Sequence, residues 1–154
     1  MRKCFGTNGF VVFLSIFIFF SDQISKFIVV NSLRLGESVR LLPFFNIVRV
    51  ENKGITFGFF SGTLEPLIIA LFSLIVTVYL GLWAKKNKPY RIPACIIMSG
   101  AIGNLFDRFT RKAVIDFLDF HLLNYHWPAF NIADSAIVIG AMVLFYISYG
   151  EEKI

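Results

Sequence analysis

The sequence predicts an all-α membrane protein, a four-transmembrane-helix bundle with a small extracytoplasmic β-sheet or hairpin between helices 1 and 2. Three observations predict it. Of 154 residues, 56% are hydrophobic and 19 are phenylalanine, and the mean hydropathy is +0.71, more apolar material than one soluble core takes up. Four apolar segments, about 9–28, 66–84, 90–106 and 129–149, each approach the length that crosses a hydrocarbon layer of about 30 Å. Between the first two, a β region at about 34–62 alternates in character along FFNIVRVENKGITFGFF. The whole chain, 1–154, reads as a single integral membrane domain without internal repeats or low-complexity tracts.

The first segment opens like a signal peptide, with Arg2 and Lys3 before GFVVFLSIFIFF, but it runs into SDQISK with no small-residue cleavage site. It therefore reads as an uncleaved first span. In the β region Asn46, Val48 and Val50 alternate with Ile47, Arg49 and Glu51, and the pattern breaks at Asn52-Lys53-Gly54. That predicts a hairpin turning there, in a sheet lying on the outer membrane face. After the second segment, KKNKPYR packs Lys85, Lys86, Lys88 and Arg91 into seven residues, on the side where Arg2 and Lys3 also lie. The opposite side carries slightly more basic residues in total, so density assigns this side to the cytoplasm, with both termini. The third segment contains SGAIG, in which Ser99 and Gly103 form a small-xxx-small pair that lets helix backbones approach.

The net charge of +5 comes from scattered basic residues, with no basic helix interleaved with aromatics. It points to juxtamembrane anchoring and not to nucleic acid. Cys4 and Cys95 form no CxxC and no metal-binding spacing, and read as inert.

Carboxylates in such a chain are costly and need a partner or a purpose. Here Asp22 with Lys26, Asn104 with Asp107 and Arg108, Asp116 with Asp119, and Asn131 with Asp134 all fall at helix ends that an antiparallel four-span bundle brings to one face. Each has a plain structural reading. Asp22 and Lys26 have the spacing of a helical ion pair, Asp107-Arg108 that of an interfacial anchor, and Asp134 that of a satisfied carboxylate at a helix start, about one turn in and beside Asn131. Two carboxylates held close offer something more. They share a proton, so one activates water while the other polarises a peptide carbonyl, which is aspartic protease chemistry. It needs no metal and no cofactor, and His121 and His126, five apart, match neither HExxH nor an i,i+4 ligand pair. A proton-coupled transporter would place acids near the bilayer midplane, yet every acid here except Glu151 and Glu152 groups at one face. A nonenzymatic assembly factor with ion-paired acids would tolerate asparagine replacements.

Five motifs, DQISK (22–26), NKGITFG (52–58), SGAIGNLFDR (99–108), VIDFLDF (114–120) and FNIADSAI (130–137), stand in the order found in lipoprotein signal peptidase, and together the chain resembles that family, signal peptidase II. The resemblance implies a bacterial inner-membrane aspartic endopeptidase that removes signal peptides from diacylglyceryl-modified prolipoproteins, just before the lipidated cysteine. It implies Asp116 and Asp134 as the catalytic pair, with Asp119 structural or at the rim. It further implies that Asp22, Lys26, Asn52, Gly54, Asn104, Asp107, Arg108 and Asn131 shape the site or hold substrate. The site would lie near the extracytoplasmic face of a monomer whose partners are prolipoproteins and membrane lipid, with no nucleic acid. Ser99 stands where the family usually has glycine and Thr56 where it usually has alanine; neither change touches an acid.

Overall fold

The structure is a computed structural model that describes residues 5–54 and 64–151. In chain order the elements are α1 (Phe5–Ser32), β1 (Ser38–Leu42), β2 (Phe45–Asn52), α2 (Leu64–Lys86), a 3₁₀ turn (Lys88–Tyr90), α3 (Arg91–Thr110), β3 (Val114–Leu122), β4 (Tyr125–His126) and α4 (Ile132–Glu151).

Among the described residues, three helices are long and apolar enough to cross a membrane, at Gly9–Ser32, Leu67–Lys86 and Ile132–Gly150. The fourth expected span, α3, falls short of that standard because Arg91, Asn104, Asp107 and Arg108 share its 20 residues. The reason is its position. It touches each of the other three helices, so its buried Ser99, Gly100, Gly103, Asn104 and Asp107 face protein, where polar side chains find partners.

Close packing explains the glycines of α3. A Cβ at Gly100 would stand 2.3 Å from the Ala133 carbonyl oxygen, and one at Gly103 would stand 2.9 Å from Asp22 Oδ2. From the facing helix, a Cβ at Gly140 would meet Ile97 Cγ1 at 2.7 Å. The approach expected at Ser99 and Gly103 is therefore centred on Gly100 and Gly103. Ser99 is buried but donates to the Cys95 carbonyl of its own helix at 2.7 Å. Helix α4 begins at Ile132 and not at 129, because Asn131 lies outside it as its cap.

The sheet corrects the expected hairpin. Among the described residues it has four antiparallel strands in the order β1-β2-β3-β4, and the β1–β2 turn is Pro43-Phe44, not Asn52–Gly54, where β2 instead ends. On its other side β2 pairs with β3, which enters from between α3 and α4, with Asn46 opposite Asp119 and Val50 opposite Asp116. The sheet thus draws on both connections at this end of the bundle and not only on the one between helices 1 and 2. The first four residues of β3 are all buried, so no alternation marks it as a strand. The expected second hairpin arm at 55–62, with Thr56, lies outside the described residues, as do Arg2, Lys3 and Cys4.

An apolar cluster of Val29, Ile115 and Phe117, flanked by Ile47 and Ile132, joins the sheet to the end of the bundle where α1 finishes and α4 starts. Arg49 of β2 fastens it further. Its Nη1 donates to the Val30 and Leu33 carbonyls, which the end of α1 leaves without helical partners.

Candidate active site

Strand β3 supplies Asp116 and the first turn of α4 supplies Asp134, and two asparagines connect them. Asp116 is 3% exposed. Its Oδ1 accepts from Asn131 Nδ2 at 2.7 Å and its Oδ2 from Asn52 Nδ2 at 3.0 Å. Asp134 is half-buried, and its Oδ1 accepts from Asn104 Nδ2 at 2.7 Å. Asn131 and Asp134 cap α4 reciprocally: Asn131 Oδ1 accepts the Asp134 N–H at 2.8 Å, and Asp134 Oδ2 accepts the Asn131 N–H at 3.2 Å. Asn131 Nδ2 also reaches Asn104 Oδ1 at 3.2 Å. No hydrogen bond joins the two carboxyls directly among the described residues; they are held as a pair through amides. Burial pushes the Asp116 carboxyl up to about 6, and the nearby Asp134 charge adds to this against the hydrogen bonds from Asn52 and Asn131.

Beneath the pair lies a buried ionic web. Lys26 is 0% exposed, and its Nζ is enclosed by three oxygens: it pairs with Asp22 Oδ2 and Asp107 Oδ2, each at 2.7 Å, and donates to Asn104 Oδ1 at 3.0 Å. Because Lys26 occupies Asn104 Oδ1, the amide nitrogen of Asn104 faces Asp134. Asp22 Oδ1 accepts the Ala133 N–H at 2.9 Å, which places a carboxylate at the electropositive start of α4. Asp107 Oδ1 pairs with Arg111 Nη1 and accepts from Gln23 Nε2 at 3.3 Å. Two acids and two bases thus balance within the web, as buried charges require.

The helical ion pair of Asp22 and Lys26 is real and is also the floor of the site. Asp107 is a buried member of the web, not an interfacial anchor. Arg108 donates Nη1 to the Asn104 carbonyl at 3.3 Å and forms no ion pair among the described residues. Asn52 is aimed by the loop that leaves β2. Its Oδ1 accepts the Gly54 N–H at 3.1 Å, and Gly54 adopts φ 139°, where a side chain would be strained.

Asp119 stands apart. Its three-residue offset on a strand turns it away from Asp116, and it accepts from Asn46 Nδ2 at 2.8 Å while both its oxygens meet His126 Nδ1 at 2.8 and 3.0 Å. Burial raises its carboxyl, but the hydrogen bonds from His126 and Asn46 outweigh this and hold it below the ordinary value. Sequence reasoning missed Gln23, Arg111, Asn46 and His126. Only Arg111 had a legible signal, its i,i+4 spacing from Asp107. Among the described residues no cluster of three or more His, Cys, Asp or Glu is placed to hold a metal ion.

The arrangement provides a buried carboxyl whose burial favours its protonated form beside a more exposed carboxyl, both oriented by amides, as general acid–base chemistry requires. Comparison with known proteins agrees on a class of chain. The family model described as signal peptidase (SPase) II matches residues 14–149. The chain is 40% identical to a lipoprotein signal peptidase of Alteromonas mediterranea, covering 94% of this chain and 83% of the relative. It is 43% identical to one of Thermodesulfovibrio yellowstonii, covering 86% and 90%. A solved bacterial membrane enzyme structure superposes with a TM-score of 0.77 at 31% identity, covering 94% of this chain and 90% of that one.

Proposed function

This chain belongs to the signal peptidase II family, membrane proteases that process lipoproteins, and from that premise we propose that Asp116 and Asp134 form an aspartic dyad that cleaves diacylglyceryl-modified prolipoproteins just before the lipidated cysteine. The observation that carries the reading is the pair of asparagines, Asn104 and Asn131, that link the two carboxyls across three elements. Asp116 holds the proton and gives it to the scissile carbonyl oxygen as water attacks. Asp134, nearer the surface, takes the proton of that water. As the tetrahedral gem-diol collapses, Asp134 passes its proton to the leaving nitrogen and one hydroxyl of the diol gives its proton back to Asp116, so the dyad ends with one shared proton as it began.

The same reading places four spans across the membrane. Helix α3 is carried by its neighbours in spite of its charges, both termini are cytoplasmic, and the dyad lies near the extracytoplasmic face of a monomer in which 1–154 is one domain. A lipid-anchored substrate presents its scissile bond near that surface. Asn52 and Gly54, at the end of β2 and in the loop that leaves it, and Arg108 of α3 border the acids and would contact the bound chain, whereas Asp22, Lys26 and Asp107 hold the asparagines in place. The test is incubation of the purified protein in detergent with a diacylglyceryl-modified prolipoprotein, read by the size shift. Cleavage that persists in both Asp116→Asn and Asp134→Asn at normal abundance would reduce the acids to ion-pairing elements of a nonenzymatic scaffold.

A further inference from the structure

The two turns of the sheet, Pro43-Phe44 and Leu123-Asn124, lie side by side. The His121 N–H donates to the Phe44 carbonyl at 2.9 Å, and the Phe45 and Phe120 rings are 4.7 Å apart. Together they form a rim of Leu42, Phe44, Leu122, Leu123, Tyr125 and Trp127, all exposed, with Leu123 and Tyr125 at 86%. The two-residue β4 cannot cover such side chains. From Phe120 to Phe130 the chain carries no Asp, Glu, Lys or Arg.

Leu123 sharpens the question of what the rim is for. It is the first residue of a two-residue loop between the paired Leu122 and Tyr125, and it adopts φ 54°. Glycine ordinarily fills that position, because a side chain there is strained. A leucine left this exposed at a position that strains the turn is explained by contact with something outside the chain. The tip is also braced. His126 is bonded to Asp119 and stacks on His121 with centroids 4.9 Å apart, and the Trp127 N–H donates to the Phe120 carbonyl at 2.8 Å. Beside the rim, Arg40 donates to the Leu42 and Pro43 carbonyls, so a cation flanks the apolar side chains.

We propose that this rim is an interfacial anchor, seated at the boundary of headgroups and acyl chains of a bilayer containing anionic phospholipid, which ties the free end of the sheet to the membrane. The composition is that of interfacial segments, with Trp and Tyr at the polar boundary, leucine below them and a basic residue toward the phosphates. The proposal rests on the membrane class of the chain and not on the dyad.

Depth-dependent quenching of Trp127 tests it. The chain has two tryptophans, and Trp83→Phe keeps a ring against Tyr90, which Trp83 meets at 4.9 Å, while leaving Trp127 as the sole reporter. The protein is reconstituted in phosphatidylcholine–phosphatidylglycerol vesicles with acyl chains brominated at shallow or deep positions. Emission shifted to the blue, shielded from acrylamide and quenched more by shallow than by deep bromine is expected. Emission typical of water with no bromolipid quenching overturns the proposal. So does shielding without bromolipid quenching that grows with protein density, which would mean contact between copies. Replacing both leucines, Leu122→Ser with Leu123→Gly, suits the backbone of the turn and should preserve the fold in detergent while lowering shallow quenching by roughly half; unchanged quenching would overturn the anchoring role of the leucines. The profile should be the same in an Asp116→Asn background, so its outcome is independent of the dyad.

Discussion

Replacing Asp116 by asparagine should abolish cleavage and yet stabilise the protein at neutral pH. With its carboxyl raised from 3.8 to about 6, Asp116 binds a proton in the folded chain that the unfolded chain has already released. Its ionisation therefore costs stability as pH rises through that window, about 3 kcal/mol by pH 7. The neutral amide carries no such cost. Its nitrogen must, however, face a former donor. Asn131 cannot turn, because its Oδ1 caps α4. Asn52 can rotate its amide at the expense of the exposed Gly54 N–H contact, a loss of about 1 kcal/mol. The net gain is about 1–2 kcal/mol near pH 7 and vanishes near pH 4, where wild-type Asp116 is protonated in the folded state. Thermal unfolding in detergent at both pH values measures the stability, and single-turnover cleavage measures the activity, which should fall on the order of 10³-fold or more. The double variant with Asp134→Asn should be little worse than either single one. A variant whose stability keeps the wild-type pH dependence, or one that cleaves within about tenfold of wild type, would refute the reasoning.

Asp119→Asn should lose far less activity than either dyad variant, because its partners are Asn46 and His126. With its carboxyl held below 3.8, its contribution to stability is present above that value and is lost as pH falls through the folded value, so wild type and variant should converge in acid unfolding. Gly100→Ala drives a methyl into the Ala133 carbonyl, which should cost about 1–3 kcal/mol. It should also lower cleavage by displacing Asn131 and Asp134 on either side of Ala133, and wild-type rates in that variant would contradict so tight a coupling. Cysteines placed at Asn87 and Asn52, in a background lacking Cys4 and Cys95, should label oppositely with an impermeant thiol reagent, Asn52 from outside; outer labelling at 87 would invert the topology. Prolonged chelation should leave cleavage intact, and loss with recovery on adding zinc would assign the acids to a metal.

The helices are legible because long apolar runs have few other uses, and even α3 shows as a segment despite its charges. Its central place is not legible, since a run of residues does not say which face meets lipid. The alternation at 46–51 does mark a strand, but it does not name the partner. The Asn52–Gly54 break has the look of a hairpin turn and is a strand end, and VIDFLDF, buried along its first half, shows no alternation to announce β3. For the site, the acids and asparagines are all visible as sequence motifs. What stays hidden is the wiring: Lys26 orienting Asn104, Asn131 standing outside α4, and Arg111 balancing Asp107 all depend on contacts that only the folded chain creates.

Asn131 narrows the choice of residue at its position in a way that neither of its roles does alone. Starting a helix asks for an acceptor, and aspartate, serine, threonine or asparagine will serve. Reaching Asp116 and Asn104 asks for a donor with two hydrogens on the same short side chain. Aspartate would keep the cap but set a third negative charge against Asp116, serine would keep the cap but fall short of the acids, and glutamine would reach the acids but is a poor fit for the cap. Among the twenty side chains only asparagine offers both an acceptor and a forked donor at that length. A position that ordinarily tolerates four letters of the chemical alphabet is thereby reduced to one, and the reading frame of α4 is written in the same residue that aligns the acids.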